Sequence, residues 1–499
     1  MHRRQLSAPF SRRLPDRLSR ALAALTRYRE QRRVAALHRC PRLRCMASLQ
    51  TFDSLPPPVS RHIFSLVPVD SRLRCAEVCR AWRAALEDRS LWTRLDMPGM
   101  IHNDMFLSNA TWLSLFRCAV ARAGGELEEL DFTGGHSVPM AELEPIVSAN
   151  AGTLRELRVS SSLTDDDVGV LLRAARVLEV FEIVSVVTSK HGVLEVCEML
   201  RNESPLFAPL RMLRLAQIMT ADEGEAGVVA LAAGVAAHAS LQRLDLHRAA
   251  LGTAVALDAL VDAAILRRLH TLECRDCSLT AASIPALVRL IEGGALTVLK
   301  LHSRDTDGPL LDAPGAALLA AALRGSTRFA ELHVTSARLW DSIEAGVTLV
   351  NALVGHQNLS TLHVEAPGYG DEVGGAAGMD SAARAFGALV AANAPALRHL
   401  YIPGAALGDE GLAPIFAALP SNTHLCTLDC TGTGMSEAFV RDTILPAVRA
   451  NRRLDALNLG RPSWTSAAEA QAHVSSNYAH MFRLRLQSIL ENEPWPDEV

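Results

Sequence analysis

The sequence predicts an α/β solenoid, in which a parallel β-sheet is backed by a row of helices. A six-residue phrase, apolar-x-x-apolar-x-apolar, occurs 12 times, first at Leu127–Phe132 and last at Leu454–Leu459. Its copies begin 24 to 38 residues apart, about 30 on average. Apolar residues with the spacing of a helix follow the strand phrase in the best-formed copies. Repetition at such a period is typical of a solenoid.

The copy at Leu241–Leu246 explains how one repeat is built. Leu244 and Leu246 lie two residues apart, so both point to one side of a short strand, while Arg243 and Asp245 are predicted to face water. A turn of small residues and a helix follow. One strand and one helix cannot bury their own apolar edges, but stacked repeats can. The strands are therefore expected to lie parallel and to line one concave face.

This arrangement resembles the leucine-rich repeats of the ribonuclease-inhibitor type, which form a right-handed horseshoe with a concave parallel sheet and convex helices. The resemblance covers about 12 repeats over residues 127–459. The family usually has Asn or Cys five residues after the second repeat leucine, where the side chain binds the neighbouring turn. Because this position varies here, we expect some turn amides to find other partners. The residues at this position include Ala249, Cys277, Arg304, Ala405, Thr433 and Pro462.

Composition and cysteine usage fit a repeat protein inside the cell. Hydrophobic residues make up 49% of the 499 residues, and no apolar run approaches the roughly 18 residues needed to span a bilayer. The pair Cys274 and Cys277 has the spacing of half a metal site, but no second pair completes a zinc set. We therefore predict no membrane span, no cofactor and a reduced setting in the cytoplasm or nucleus.

Residues 1–45 differ in kind from the rest of the chain. They hold 13 arginines against Asp16 and Glu30, a net charge of +11, whereas the whole chain carries −4. Such a segment resembles an organellar transit peptide. It could also be a basic tail that binds nucleic acid or an anionic membrane. We favour a third interpretation, a disordered leader before a start at Met46, and so expect neither nucleic acid nor an organelle.

Residues 51–96 carry a second ordered pattern, which predicts short helices. The first helix is expected to be stopped by Pro68, and the second to run through Leu73 to Leu86. About 45 residues make a marginal core alone, so partner binding would help to stabilise them. The pattern consists of Leu55-Pro56, Ile63-Phe64-x-Leu66, Val78-Cys79-x-x-Trp82 and Leu91-Trp92.

This order of residues is similar to the F-box and covers the whole of that motif. In the F-box family the helices bind a Skp-type adaptor, which attaches the protein to a cullin–RING ubiquitin ligase. Trp82 is the expected anchor, because desolvated aromatic side chains dominate such interfaces. Trp92 is expected to close the helical core or abut the linker. The alternative is that all these side chains are core residues of a helical cap. The resemblance assigns to the adaptor Leu55, Pro56, Ile63, Leu66, Val78 and Trp82.

Three further segments are assigned by pattern. Residues 97–126 are a linker, whose helix over Thr111–Val120 ends at two glycines. Residues 460–499 are predicted to be a capping helix and an acidic tail, because solenoids need an atypical end. The long loops at 303–314 and 366–380 follow strands and are expected to project from one rim, where they bind a partner or nothing.

The candidate substrate surface lies on the outward side of the strands. Twelve residues stand between the last two apolar positions of the repeats, and their charges are predicted to be solvated. In the late repeats histidine and tyrosine replace the charges, with Tyr401 as a candidate hot spot. Three histidines could also hold a metal, but such imidazoles are more often a wet strand face, so no metal site is predicted. The proposed substrate-binding residues are Lys300, Glu331, His333, His363, His399 and Tyr401.

No catalytic pattern occurs in the sequence, which lacks a Walker loop, G-x-S-x-G and H-E-x-x-H. The two resemblances together imply a non-catalytic substrate-recognition subunit of an SCF-type ubiquitin ligase. Its F-box would dock the adaptor, and its repeats would bind an unknown protein substrate. The alternatives are a non-ligase interaction scaffold and a regulator of a small GTPase. The latter needs an arginine positioned at the edge of the array, and no local context marks one.

Overall fold

A computed structural model describes most of the chain. The predicted leader, the capping helix with its tail, most of the long loop at 366–380 and residues 304–308 of the loop at 303–314 lie outside the described residues. The chain divides into two compact units, residues 1–67 with 71–88 and residues 68–70 with 89–499. The described residues are 55–96, 109–133, 138–159, 165–183, 196–197, 200–201, 210–216, 224–303, 309–336, 342–365, 379–405 and 407–459.

Three short helices occupy the region of the second sequence pattern: α1 Pro57–Ser65, α2 Val69–Cys75 and α3 Arg80–Ala85. Helix α1 begins with Pro57, whose missing N–H costs nothing in a first turn, and no side chain caps it. Within the first unit, Phe64 is buried and contacts the edge of the Trp82 ring, with 5.6 Å between the ring centroids. This aromatic pair joins α1 to α3.

The prediction of one continuous second helix ending at Leu86 is wrong, because the helix ends at Cys75 and a separate helix begins at Arg80. The backbone of Cys79 is extended, with φ −157° and ψ 167°. Its Sγ accepts a hydrogen bond from the backbone N–H of Trp82 at 3.4 Å. Cys79 thus acts as the N-cap of α3, in the way that serine commonly does.

The second unit contains a single sheet of 13 parallel strands in its described residues, and each strand lies beside its predecessor in the chain. This order confirms the predicted α/β solenoid of leucine-rich-repeat type. The strands are β1 Arg94–Asp96, β2 Glu129–Phe132, β3 Glu156–Val159, β4 Val180–Ile183, β5 Met212–Ala216, β6 Arg243–His247, β7 Thr271–Arg275, β8 Val298–Ser303, β9 Glu331–Ser336, β10 Thr361–Glu365, β11 His399–Tyr401, β12 Thr427–Asp429 and β13 Ala456–Asn458.

Helices alternate with these strands. In α8, Leu257, Leu260 and Val261 are buried, and the hydroxyl of Thr253 caps the first turn by accepting the N–H of Ala256 at 3.3 Å. The helices are α4 Asn109–Ala123, α5 Met140–Ala149, α6 Asp165–Ala174, α7 Gly224–Ala237, α8 Ala254–Arg267, α9 Ile284–Glu292, α10 Ala313–Gly325, α11 Ile343–Ala352, α12 Met379–Ala391, α13 Gly408–Ala418, α14 Glu437–Phe439 and α15 Leu445–Ala450.

The second apolar residues of the phrases form a continuous row through the core. Strand register aligns these side chains one above the next, and each is at most 1% exposed except Leu457 at 8%. The predicted period of two therefore places the core correctly in all 12 copies. This buried row consists of Leu95, Leu130, Leu157, Phe181, Leu213, Leu244, Leu272, Leu299, Leu332, Leu362, Leu400, Leu428 and Leu457.

Strand β1 was not predicted, although the sequence carries its signal. Trp92, Leu95 and Met97 repeat the same apolar phrase 35 residues before the first assigned copy. Trp92 and Leu95 are fully buried, and the guanidinium of Arg122 on α4 lies 5.0 Å from the Trp92 ring. The expectation that Trp92 abuts the linker helix is thus confirmed. That helix, α4, ends before Gly124 and Gly125, both with positive φ, as predicted.

Polar groups in the turns after the strands are hydrogen-bonded to the neighbouring repeat, either through the family's cysteine or through the backbone. Cys277, at the family's Asn/Cys position, is buried, and its Sγ donates to the carbonyl oxygen of Leu246 at 3.4 Å. Elsewhere the backbone of the next repeat accepts the turn amide. The N–H of Arg248 donates to the carbonyl of Arg275, and that of Asp276 to His302, both at 2.7 Å.

A second set of buried polar side chains, not predicted, holds the turns that lead into the strands. Asn422 accepts hydrogen bonds from the backbone N–H groups of His424 at 3.0 Å and Leu425 at 2.8 Å, and it donates to the carbonyl of Val390 at 2.7 Å. These bonds satisfy backbone groups that have no strand partner. Buried side chains at the same turn of other repeats are Asn150, His238, His356 and Asn451.

In the part of the chain that the structure describes, no helix combines the length and the apolar character needed to cross a membrane.

Candidate functional site

The first unit presents apolar side chains to solvent. Leu66 is 72% exposed, Val78 57% and Val59 43%, and Pro56 is also exposed. Exposed apolar groups of this size on so small a helical unit are typical of a protein interface. Val59 was absent from the predicted set, although it lies four residues from both Leu55 and Ile63, which is helical spacing.

The six predicted adaptor-facing residues fall into two groups. Pro56, Leu66 and Val78 are exposed, whereas Leu55, Ile63 and Trp82 are half-buried. The Trp82 ring packs one edge against Phe64, as described above. Exposed members can contact a partner without disturbing the fold, while the half-buried members also hold the helices together.

A cavity of about 330 Å³ opens in the first unit between α1 and α3. The side chains of Arg61 and Asp88 line it and form an ion pair at 2.5 Å. Leu55, Ala81 and Ala85 supply apolar lining. The lining of the cavity thus combines apolar side chains with one ion pair.

We call the outward side of the repeat sheet the ladder face. It consists of the strand residues that alternate with the buried ones, among them the residue between the last two apolar positions of each copy. On β2 to β4 it carries an ion-pair network around Arg158. The guanidinium of Arg158 lies 2.9 Å from Glu129, 2.5 Å from Glu156 and 3.4 Å from Glu182. Burial lowers the pKa of Arg158, but Glu156 and Glu129 outweigh burial and raise it above its ordinary value. Arg158 therefore links carboxylates from all three strands.

The network continues through Arg214 on β5. Its guanidinium lies 2.8 Å from Glu182, 3.6 Å from Glu273 and 4.0 Å from Asp245. Arg243 approaches Asp245 at 2.7 Å and Glu273 at 3.4 Å. Each carboxylate thus has more than one guanidinium beside it.

The prediction that these ladder charges are solvated is wrong for three of them. Asp245 is 1% exposed, Glu273 5% and Glu182 7%. Burial raises the pKa of Asp245 despite the hydrogen bonds from Arg243. Burial would also raise the pKa of Glu273, but Arg214 and Arg275 more than compensate and lower it. The long side chains of Arg214 and Arg243 cover these carboxylates and remain partly exposed themselves.

The late strands bring the predicted substrate-binding residues together. Strand register places Lys300 beside His333, His333 beside His363, and His363 beside Tyr401. The rings of His333 and His363 stack with centroids 5.3 Å apart, and those of His363 and Tyr401 at 5.4 Å. His399, next to Tyr401 on β11, completes this group. We call Lys300, His333, His363, His399 and Tyr401 the imidazole surface.

The side chains of the imidazole surface differ in their hydrogen bonding. Nε2 of His363 lies 3.1 Å from Glu365, and Nδ1 of His399 lies 3.1 Å from the hydroxyl of Thr427. Nε2 of His333 is buried without a hydrogen-bond partner among the described residues, and the nearest Glu331 oxygen is 3.8 Å away. Burial, then Lys300, His363 and His302, lower the pKa of His333 to about 3. His333 is therefore neutral at physiological pH.

This buried imidazole predicts a pH dependence of stability. The folded-state pKa of His333, about 3, lies below its ordinary value of 6.5, so the folded state binds fewer protons than the unfolded state. Its contribution to stability is full above pH 6.5 and is lost as the pH falls toward 3. We expect the wild type to lose about 2 kcal/mol at pH 5 relative to pH 7 through this group, and His333→Gln to abolish that loss.

Urea unfolding at both pH values measures this difference. His270→Gln, at an exposed position, is the control and should keep the wild-type pH dependence. Equal pH dependence in the wild type and His333→Gln would contradict the assignment.

The predicted substrate surface used mainly the residue between the last two apolar positions of each strand, and it therefore omitted other residues of the ladder face. His302, Thr335 and Glu365 lie two residues after Lys300, His333 and His363 and so point to the same side. The hydroxyl of Thr335 donates to Glu365 at 3.3 Å. The period of two along each strand is the signal that would have found them. Among the described residues, no three histidine, cysteine or acidic side chains are grouped to hold a metal ion.

A helical unit with an exposed apolar face, followed in the chain by a leucine-rich-repeat sheet, defines the class of F-box proteins with leucine-rich repeats. Residues 52–98 match the family model for F-box-like domains. The chain therefore carries an F-box-like domain at residues 52–98 and a leucine-rich-repeat sheet after it in the sequence.

Two curated relatives are similar to the F-box part. The F-box/LRR-repeat protein 12 of Bos taurus is 41% identical over 49 residues, and the Homo sapiens protein of the same name is 39% identical over 49 residues. Each match covers 10% of this chain and spans 15% of the length of the relative.

Proposed function

We propose that the chain is the substrate-recognition subunit of an SCF-type ubiquitin ligase. The observation that carries the proposal is an F-box with Leu66 and Val78 exposed, in the same chain as a repeat sheet that displays aromatic and imidazole side chains. In this role the F-box docks a Skp-type adaptor and, through it, a cullin–RING ligase. The repeats hold a protein substrate.

The chain performs no chemistry in this proposal. It raises the effective concentration of a substrate near the ubiquitin-conjugating enzyme, and it orients the substrate for attack. A repeat sheet with backbone hydrogen bonds between neighbouring strands suits this task, because it presents side chains at fixed spacing.

Charge pairing divides the ladder face and favours its late strands for substrate. On β2 to β7 the guanidiniums are already paired with nearly buried carboxylates, so a ligand would have to break such ion pairs at a cost of about 3–5 kcal/mol each. On β8 to β11 the imidazole surface offers flat rings, which stack across neighbouring strands. Lys300 has no ion pair within the described residues. A substrate segment with an acidic side chain for Lys300 and an apolar one for Tyr401 fits this chemistry.

Reconstitution tests the ligase assignment. The full chain, co-expressed with a Skp-type adaptor and a cullin, should elute with both as one complex on size-exclusion chromatography. Elution of the chain alone, with the adaptor and cullin in a separate peak, would reject the assignment and favour a non-ligase scaffold.

A double variant tests the imidazole surface as the substrate site. His363→Ala/Tyr401→Ala should retain the adaptor but lose at least about 30-fold in substrate affinity, because a single interface hot spot contributes about 2 kcal/mol or more. Proximity labelling in cells with the ligase inhibited would identify the proteins whose labelling the variant loses. Binding of the purified proteins then gives the affinity change.

Leu318→Ala is the matched control, since Leu318 is 48% exposed on α10, outside the ladder face. It should leave the labelled set unchanged. Retention of every labelled protein by the His363/Tyr401 variant would place the substrate site elsewhere.

A further inference from the structure

A basic pocket opens at the edge of the repeat sheet where the strands begin. Its volume is about 390 Å³, within the usual range for small-ligand sites. Arg211, Arg267, Arg268 and Arg328 line it together with His270, and none of its described lining residues carries a carboxylate. Its position at the strand starts separates it from the imidazole surface, whose residues lie within the strands. Four arginines therefore line one cavity at this edge of the sheet.

The arginines of this pocket are less neutralised than those on the ladder face. Arg268 and Arg328 are exposed, and neither has an ion pair among the described residues. Arg211 lies 3.9 Å from Glu179, which is itself held at 2.5 Å by Arg155. Mutual repulsion among these cations favours binding of an anion.

Helix-end contacts explain one of the four arginines. Nε of Arg267 donates to the carbonyl oxygen of Ala236 in the last turn of α7, where a positive charge also complements the helix dipole. Among the described residues no comparable contact is made by the guanidinium of Arg268 or Arg328, which follow the ends of α8 and α10. Their guanidinium groups remain available for a ligand.

The pocket is preorganised by the backbone. Its lining residues come from turns that are tied strand to strand: Gln242 N–H donates to the carbonyl of Arg211 at 2.8 Å, and His270 N–H to that of Gln242 at 2.9 Å. The next N–H groups along this edge bond in the same way: that of Thr297 donates to the carbonyl of His270, and that of Ala330 to the carbonyl of Thr297, both at 2.8 Å. Binding a ligand here requires little ordering of the main chain.

We propose that this pocket binds clustered phosphate groups. Guanidinium groups recognise phosphate oxygens through paired hydrogen bonds. One phosphate ester carries a charge of about −1.5 to −2 at pH 7, so four arginines match about two such groups. A ligand with two or more phosphates, borne by a free polyphosphate or by phosphorylated side chains of a peptide, therefore fits the charge of the pocket. The inference does not depend on the ligase assignment.

Binding of inorganic tripolyphosphate to the full chain, measured by isothermal titration calorimetry, tests the proposal. Arg268→Gln/Arg328→Gln should weaken binding by about 30-fold, because two charge-assisted hydrogen-bonding groups are lost. Arg324→Gln/Arg384→Gln removes the same charge from exposed positions that do not line the pocket, and it should change binding by less than about 2-fold.

Competition by a peptide with two phosphoserines then distinguishes the sources. Displacement of tripolyphosphate by this peptide, but not by its unphosphorylated form, would identify protein-borne phosphate as the ligand. Failure of the peptide to compete would identify a free polyphosphate. Equal weakening in the two double variants, or absence of tripolyphosphate binding to the wild type, would overturn the proposal.

Discussion

Replacing Leu66 and Val78 by aspartate is expected to lower the affinity for a Skp-type adaptor by more than about 100-fold. Each side chain is more than half exposed, and burying an apolar side chain of this size contributes about 1.5–3 kcal/mol. The introduced carboxylates would also have to be buried without a partner. Binding of the purified full chain to the adaptor by calorimetry measures the loss.

These two positions separate binding from folding better than Trp82 does. Because Trp82 is half-buried against Phe64, its replacement would also weaken the helical unit. Val255→Asp/Leu266→Asp is the matched control, since these side chains are 60% and 66% exposed on helix α8, which belongs to the second unit. The control should bind the adaptor as the wild type does. Unchanged adaptor binding by the Leu66/Val78 variant would contradict the proposed docking face.

Replacing Arg214 by leucine is expected to destabilise the repeat sheet by about 3–5 kcal/mol. Arg214 lies among three nearly buried carboxylates, those of Glu182, Asp245 and Glu273, and its removal leaves them with too little positive charge. The deficit should shrink as the pH falls, because protonated carboxyl groups no longer need the guanidinium. Urea unfolding followed by far-UV circular dichroism, at pH 7 and pH 4.5, measures both effects.

Arg289 provides the control for this prediction. It pairs with Asp258 at 2.5 Å and Asp262 at 2.9 Å, but all three side chains are at least 45% exposed. Arg289→Leu should therefore cost about 1 kcal/mol or less. Equal losses for the two variants would mean that the buried position of the network has no energetic consequence.

The repeat fold was predictable because its signal is local. Two apolar residues separated by one position determine which side of a strand is buried, and stacking then determines the sheet. Strand β1 escaped the prediction because Trp92 was assigned to the helical motif, although Leu95 follows it at the repeat spacing. The split of the second helix escaped because a cysteine at an N-cap gives a weak signal.

The environment of the candidate sites was less predictable, since it depends on residues about 30 positions apart. Asp245 has the same type of sequence context as Asp131, and its burial follows only from the arrival of Arg214 and Arg243 beside it. The meeting of His333, His363 and Tyr401 was predicted, because register follows from the repeat itself. The basic pocket was not predicted, because its arginines come from three separate stretches of sequence, at Arg211, at Arg267 with Arg268, and at Arg328.

The position of β1 has a practical consequence for dissecting the protein. The F-box-like match extends to residue 98, yet Arg94–Asp96 already pairs with β2 and Trp92 is buried in the second unit. A fragment cut at the end of the family match would strip away this terminal strand and leave the amides and carbonyls of β2 open to self-association. An expression fragment of the repeats should therefore start at or before Arg89, inside the sequence of the neighbouring motif.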